Sequence, residues 1–277
     1  ITYNASLGAS LNANFPKFMD GPQFAYYYNV AQMMDQLASG AIASEQDYVP
    51  YFTQDQVAMM TNGDPTDGWD NVNYIDKVFG TGFTQKHNVT VQGGNEKTRY
   101  FTSFGYLGQK GNIDNYDYNR YNLRANIESD FAENFHFKLG ISGVISDRST
   151  PAFSTGGSEM GSETGWLSIA NQTIMMHPYL PVKYNGLYTA SQKKNTSLPQ
   201  SPLAAIYESG YKKTKAVDVS TNVTLSYDVP WVEGLQLKVS GSFDYSNSYN
   251  KNLNTPYYLM CYSAGQWVEM TDPRGVG

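Results

Sequence analysis

The chain has 277 residues, with 19 Lys and Arg against 25 Asp and Glu, for a net charge of −6. That balance lacks the basic footprint of a nucleic-acid binder, no run approaches the ~18 apolar residues of a spanning helix, and a single cysteine, Cys261, excludes an internal disulfide framework. Charged residues make up only 16% while Tyr (23) and Gly (25) are abundant, a mix too aromatic for disorder and suited to β-structure with polar, uncharged surfaces.

Strict alternation of apolar and polar residues marks strands. Tyr3, Ala5, Leu7, Ala9 and Leu11 alternate from the outset with no signal-peptide pattern ahead of them, and the closing Asp272–Gly277 reads as loop, so both ends read as cuts in a longer chain. The segment 12–85 is too long for plain coil. Asp20 followed by Pro22 and Gln23 predicts a helix start, Phe24, Tyr27, Ala31 and Met34 recur at helical spacing, and Gly40 is the stop. Thr53 to Gln56 predicts a second start, ended by Asn62-Gly63. Asp64-Pro65-Thr66-Asp67-Gly68-Trp69-Asp70 lacks both the spacing of a calcium loop and its closing Glu, and reads as an Asp/Gly turn.

Strands at 86–92 and 98–109 flank the turn Gly93-Gly94-Asn95-Glu96-Lys97. Tyr121, Leu123, Ala125 and Ile127 mark the next strand, and Phe135, Phe137, Leu139, Ile141 and Gly143 the one after. A loop over 149–213 opens with Ser154-Thr155-Gly156-Gly157-Ser158 and carries Trp166, His177-Pro178-Tyr179, Tyr184 and Tyr188 before Lys193-Lys194-Asn195. Val217 through Val229 and Leu235 through Tyr245 then alternate as a hairpin, and 257–262 or 266–270 would supply an eighth strand.

These strands are long: 216–229 exceeds both the ~5–6 residues of an ordinary strand and the ~9–11 of a transmembrane one. Connections at 93–97, 129–134 and 230–234 are short, while those at 12–85, 110–118 and 149–213 are longer, the one-sided asymmetry of an outer-membrane barrel with its long loops outside. Phe131, Phe135 and Trp231 sit by the short turns, where an interfacial girdle would lie. The expected fold is therefore all-β, an antiparallel transmembrane β-barrel segment of seven to eight strands whose long extracellular loops carry short helices. Two alternatives stay open at this point: a small self-contained outer-membrane barrel acting as an adhesin, and a soluble glycan-binding β-sandwich with one polar face.

From Gln85 through Gly93-Gly94-Asn95-Glu96-Lys97-Thr98-Arg99-Tyr100 to Tyr106, and on through Gly108–Ile113 and Asp117-Tyr118-Asn119-Arg120-Tyr121-Asn122-Leu123-Arg124-Ala125-Asn126-Ile127, the sequence resembles the SusC/RagA family of TonB-linked outer-membrane transporters of Bacteroidetes. Asn71–Phe79 resembles the family's Asn-x-Asp-Trp-x-Asp element, with Asn73 and Tyr74 replacing the Asp and Trp, and strand 1–11 resembles the first strand after the plug. The match is dense over 1–148 and one of rhythm beyond. It implies that residues 1–277 are part of a barrel of about 22 strands, with the plug and the C-terminal strands lying outside this chain. Such a piece, with two open sheet edges, is not expected to form a working pore. The resemblance further implies import of an oligosaccharide or peptide under a SusD-like surface lipoprotein, driven by TonB acting on the plug, with outer-membrane lipid around the wall and no nucleic acid, cofactor or covalent chemistry.

On that reading Trp166, Tyr179, Tyr184 and Tyr188 are substrate-contact candidates, by stacking on sugar faces, against the plainer reading of packing within the loop. Gly93, Gly94, Asn95, Glu96, Arg99, Tyr100, Arg120, Tyr121, Asn122 and Arg124 carry the signature in a structural role. Arg124, Lys138 and Lys238 would face the lumen, with Glu128, Asp218 or Asp244 as cross-strand partners. His87, His136 and His177 are scattered without zinc-site spacing, Cys261 has no base beside it, and the Asn-x-Ser/Thr triplets at Asn4, Asn88, Asn171, Asn195 and Asn222 matter only in a eukaryotic secretory protein.

Overall fold

The structure is a computed structural model that describes residues 1–12, 14–63, 68–153, 165–192, 199–263 and 265–271. The chain divides into two compact units, one of 1–11, 81–150 and 211–252, the other of 12–80, 151–210 and 253–277.

The first unit is a seven-stranded antiparallel sheet in the order β1-β2-β3-β4-β5-β9-β10. Its strands are β1 (Thr2–Ser10), β2 (Gly82–Gly94), β3 (Thr98–Lys110), β4 (Asp117–Ala132), β5 (Phe135–Pro151), β9 (Gly210–Asp228) and β10 (Gln236–Asn254). The last two run 19 residues each, longer than the alternation alone indicated, because both continue into Lys- and Asn-rich sequence that keeps the ladder without keeping the apolar period. Register fixes what each face carries. One face aligns Tyr3, Val89, Phe104 and Leu123, then Ala5, His87, Tyr106, Tyr121 and Ile145, then Tyr100, Ile127 and Leu139. The opposite face aligns Thr2, Thr90, Ser103, Arg124 and Ser142, then Asn4, Asn88 and Asn122, then Ser6, Lys86, Arg120 and Ser146. Because successive side chains point to opposite faces, one residue of slippage would exchange these surfaces, so the two-sided composition itself holds the register.

On β5 the apolar face runs from Phe135 to Ile145. At about 3.3 Å per residue and a tilt of roughly 40° this is a band about 25 Å tall, the height of the apolar belt on an outer-membrane barrel. Its large side chains are largely uncovered: Val239 is 72% exposed and Val223 39%. A sandwich would bury these residues under a second sheet. Tyr100, Phe131, Phe135, Tyr227 and Trp231 gather at the short-turn margin, with Phe135 packed on Phe131 (5.6 Å) and Tyr227 (4.5 Å). β1 and β10 end the sheet and do not pair with each other, so the closure a small self-contained barrel requires is not formed among the described residues.

The second unit holds the helices α1 (Gly21–Ala38), α2 (Gln54–Asn62), α3 (Tyr74–Val78), α4 (Gly165–Met175) and α5 (Pro202–Tyr207) with the short strands β6 (Lys183–Tyr184), β7 (Leu187–Gln192), β8 (Pro199–Gln200), β11 (Tyr258–Ser263) and β12 (Gln266–Thr271). The start of α1 is as the sequence predicts: the Asp20 carboxylate accepts from Gln23 N at 2.8 Å, and the Gln23 side chain accepts from Asp20 N. Thr53 and Gln56 form the same box on α2, and Gly63 ends it at φ +66° in the left-handed region. The expectation of an eighth barrel strand at 257–262 or 266–270 is corrected. β11 pairs in parallel with β7 and antiparallel with β12, in a sheet ordered β12-β11-β7-β6, with β8 pairing β7. Leu259, Met260 and Cys261 are consecutive buried residues, and both faces of that strand are covered, which suits a core strand and not a barrel wall with one polar side. Among the described residues no helix is long and apolar enough to cross a membrane, which says nothing of crossing by strands.

Candidate functional site

Two surfaces concentrate polar and aromatic groups. The first is the polar face of the seven-stranded sheet. Lys86 and Arg120 share one cross-strand row with β3 between them, Arg148 opposes Tyr118 one row along, and Arg124 lies four residues from Arg120 on the same face of β4. Among the described residues none of these four cations makes an ion pair, whereas Lys138 meets Glu128 at 3.2 Å as expected of a cross-strand pair. Arg124 and Lys238 gain no such partner, and Asp218 accepts from Ser246 at 2.6 Å instead. This face thus carries net positive charge set among Asn, Ser and Thr, able to bond hydroxyls and to attract carboxylates. At its short-turn end His136 bridges two carboxylates, Asp130 on Nδ1 (2.5 Å) and Asp228 on Nε2 (2.7 Å), with Gln236 donating to Asp228 at 2.8 Å. That clamp across β4, β5 and β9 was not foreseen. His136 reads locally as an ordinary polar strand position, and Asp228 is 92 residues away.

The signature residues build the hairpins. Asn95 Oδ1 accepts from Lys97 N (2.9 Å) and Thr98 N (2.8 Å), closing the turn after Gly93 and Gly94 with Glu96 at its exposed tip. A Cβ on Gly93 would strike the Tyr100 phenol, and one on Gly105 the Asn122 amide, so both glycines exist to let a neighbouring side chain lie across the sheet. Arg99 shares a row with Glu128, Arg120 and Arg124 face the polar side, and Tyr121 packs on Tyr106 at 5.0 Å.

The second surface lies in the helical unit. A cleft of about 930 Å³ has Phe15, Phe18, Phe24, Met175, His177 and Asp76 among its lining residues, near the upper end of the roughly 300–1,000 Å³ of ligand clefts. Its carboxylates are engaged: Asp20 caps α1, and Asp76 accepts from Asn73 at 2.6 Å. Beneath lies an aromatic cluster of Phe24, Phe52, Trp69, His177 and Tyr179. Burial pushes the His177 imidazole down to about 4 and raises the Tyr179 hydroxyl above its ordinary value. The neutral imidazole and the Tyr179 hydroxyl lie 2.9 Å apart. Tyr74, which replaces Trp in the Asn71–Phe79 element, is buried with its hydroxyl donating to the carbonyls of Leu180 and Pro181, both at 3.1 Å. Asn73 caps α3, accepting from Ile75 N at 3.1 Å. The altered element is a packing device.

The four aromatic candidates do not converge. Trp166 is 51% exposed at the start of α4, while Tyr179 is 6% exposed inside the cluster. Tyr184 stacks on Trp267 at 4.5 Å and 19°, and Tyr188 lies under the Lys183 ammonium at 4.1 Å. Trp267 was missed because nothing in its local sequence pairs it with a tyrosine 83 residues earlier. Of the acidic stretch only Gly68, Trp69 and Asp70 are described; Asp64–Asp67, Ser154–Ser158, Lys193-Lys194-Asn195 and the end from Asp272 lie outside the described residues. Among the described residues no three His, Cys, Asp or Glu side chains come together as a metal site. Cys261 is buried, its thiol pushed up to about 11 by desolvation.

No protein-family model matches the chain. The TonB-dependent receptor SusC of Bacteroides thetaiotaomicron is 24% identical over 203 residues, 69% of this chain and 20% of that protein. The TonB-dependent receptor P3 of Formosa agariphila is 25% identical over 180 residues, 64% and 17% of the two. The chain therefore spans about a fifth of the length of the curated relatives it matches. Among solved structures, the RagAB peptide importer in its closed-closed state superposes with a TM-score of 0.59 at 21% identity, over 90% of this chain and 28% of that one. Its open-open state gives 0.56 at 20% identity over the same shares. At such identity the structural likeness speaks for the fold. With the two receptors it bears out the resemblance to SusC/RagA TonB-linked transporters that the signature carries.

Proposed function

We propose that this chain is a stretch of wall and outer loops from an outer-membrane TonB-dependent transporter. The complete protein passes an oligosaccharide or peptide through a plugged barrel of about 22 strands beneath a SusD-like lipoprotein, powered through TonB. The observation that carries the reading is the two-faced sheet: an exposed apolar band about 25 Å tall on one side and a polar, net basic surface on the other. In water the band would be a large uncovered hydrophobic patch, whereas in a bilayer it is the ordinary solution, with the polar face lining the lumen. The wall does no covalent chemistry. It excludes lipid, offers Asn, Ser and Thr to hydroxyl or amide groups, and through Lys86, Arg120, Arg124 and Arg148 attracts negative charge along the route. The residues that contact cargo in the helical unit would be those with a free face, Trp166 foremost and the edge of the Tyr184–Trp267 stack, with Tyr179 and Tyr188 supporting them.

The test uses the full-length protein in its native membrane. Outer-membrane fractions are solubilised, the protein is identified by peptides from 98–127, and its intact mass and co-purifying lipoproteins are measured; uptake by intact cells is then compared with and without TonB. A mass several times that of this chain, a lipoprotein partner and TonB-dependent uptake are expected. Recovery only in the soluble fraction, or uptake indifferent to TonB, would overturn the reading.

A further inference from the structure

At the long-loop end of the apolar face, beyond the band, the same side-chain parity continues into lysines. On β9 the series Tyr227, Leu225, Val223, Thr221, Val219 and Val217 leads outward to Lys215, Lys213 and Tyr211. On β10 the series Leu237, Val239, Gly241, Phe243 and Tyr245 leads to Asn247, Tyr249 and Lys251. Three side-chain bonds on the opposite face set the hairpin register: Thr224 to Ser240 (3.1 Å), Asp218 to Ser246 (2.6 Å) and Thr214 to Asn250 (2.7 Å). That register puts Lys213 directly across from Lys251, and Lys215 across from Tyr249. Both ammoniums gather at one ring, Lys213 Nζ lying 4.8 Å and Lys251 Nζ 5.7 Å from the centre of Tyr211.

Like charges directly opposite on one face of a hairpin destabilise it, and the Tyr211 π-face offsets that only in part. The acids nearest on this face, Asp117 and Asp147, share with Lys213 a shallow concavity of about 420 Å³, yet among the described residues neither forms an ion pair with it. Lys215 lies across from Asp147 on β5 without an ion pair to it among the described residues, and Lys251 has no acid opposite it. Lys215 and Lys213 lie two and four residues beyond Val217, about 5–10 Å outward of the band at the tilt used above, the depth of lipid headgroups. Facing away from the lumen, they are out of reach of cargo.

We propose that Lys213 and Lys251, held at the Tyr211 ring, together with Lys215 two residues along β9, bind the phosphate groups of an anionic glycolipid in the outer leaflet. The proposal rests on the barrel reading above, since it needs that face to meet lipid.

The test takes the full-length protein extracted from outer membranes in mild detergent and measures retained phosphorylated lipid by native mass spectrometry. The same protein is then assayed for binding to phosphatidylcholine vesicles with and without lipid A, and for binding inorganic phosphate. The triple variant K213Q/K215Q/K251Q is compared with K213R/K215R/K251R and with K17Q/K77Q/K97Q, which removes the same charge elsewhere. The Gln triple on the site is expected to lose at least about tenfold in retained lipid, in keeping with the pull of an anionic surface on several lysines. The Arg triple and the remote variant should behave as wild type. Equal retention by wild type and the Gln triple, both still in the outer-membrane fraction, would overturn the site and leave the barrel reading standing. Binding of inorganic phosphate without any preference for lipid A vesicles would overturn the lipid as its ligand. Absence of the wild-type protein from the outer membrane would overturn both readings together.

Discussion

Replacing Leu123 by Arg separates a membrane wall from a soluble sheet. Leu123 lies on the apolar face between the Ile127 and Tyr121 rows, opposite Gly143 and two residues inside the outer edge of the band, and is 46% exposed. In water a partly exposed leucine exchanged for arginine changes stability by no more than about 0.5 kcal/mol. On a lipid-facing strand the same charge costs about 2–4 kcal/mol at the bilayer midplane and about 0–1 at the interfaces, hence about 1–2 kcal/mol at this depth. Asn126, three residues along the same strand and on the opposite face, is the internal control: Asn126→Arg adds the same charge to a wet surface already carrying Arg124 and should stay within about 0.5 kcal/mol. The assay is reversible denaturant unfolding of the full-length protein from lipid vesicles, with surface abundance in cells as a second readout. Leu123→Arg should fall by about 1–2 kcal/mol while Asn126→Arg stays near wild type. If the two variants fall equally, or the order is reversed, the assignment of faces is wrong and the barrel argument goes with it.

Further consequences concern the helical unit and the hairpins. Tyr74→Phe leaves the buried carbonyl of Leu180 short of a donor, while that of Pro181 keeps the Thr189 hydroxyl, a loss of about 1–2 kcal/mol that hydrogen exchange at 178–182 should register as faster opening; unchanged exchange would refute it. His177 has its folded pKa lowered by burial to about 4, below the ordinary 6.5, so the unfolded state takes up the proton first. Its stabilising contribution is complete above about pH 6.5 and is lost as the pH falls toward 4, by up to about 3 kcal/mol. Protease cleavage within 165–185 should rise over that window and lose its pH dependence in His177→Phe. Gly93→Ala should lower the yield of folded protein through its clash with the Tyr100 phenol, and Tyr100→Ala in the same chain should restore most of it; no rescue would show that the glycine serves the backbone alone. Cys261, buried with its thiol raised to about 11, should resist maleimide in the native protein and react on unfolding.

The local codes were legible. The capping boxes at Asp20–Gln23 and Thr53–Gln56 and the αL glycine at Gly63 depend on neighbours three to ten residues apart, and all three form as read. The strand count of the main sheet was legible for a similar reason: period-two alternation in Tyr121–Ile127 or Val217–Val229 is imposed by a surface that is apolar on one side only. Where the covering is apolar on both sides, that signal vanishes. Tyr258–Ser263 reads equally well as another wall strand, and only its neighbours Tyr188, Ala190 and Ala204, distant in sequence, make it a core strand of the second unit. The outward ends of β9 and β10 escaped notice because Lys213, Lys215 and Lys251 stay in the ladder after the apolar pattern stops.

The sequence by itself thus determined the class of fold, the hairpin turns, the starts of α1 and α2 and the likeness to TonB-linked transporters, all carried by short-range chemistry or by a periodicity that one apolar side imposes. The tertiary structure alone decided which side chains meet. It set His136 between Asp130 and Asp228, buried Tyr179 while leaving Trp166 free, stacked Tyr184 on Trp267, and brought Lys213 and Lys251 to one ring. Each of those meetings depends on strand register or on contacts across tens of residues, and a register is a property of two strands together that neither strand's sequence contains.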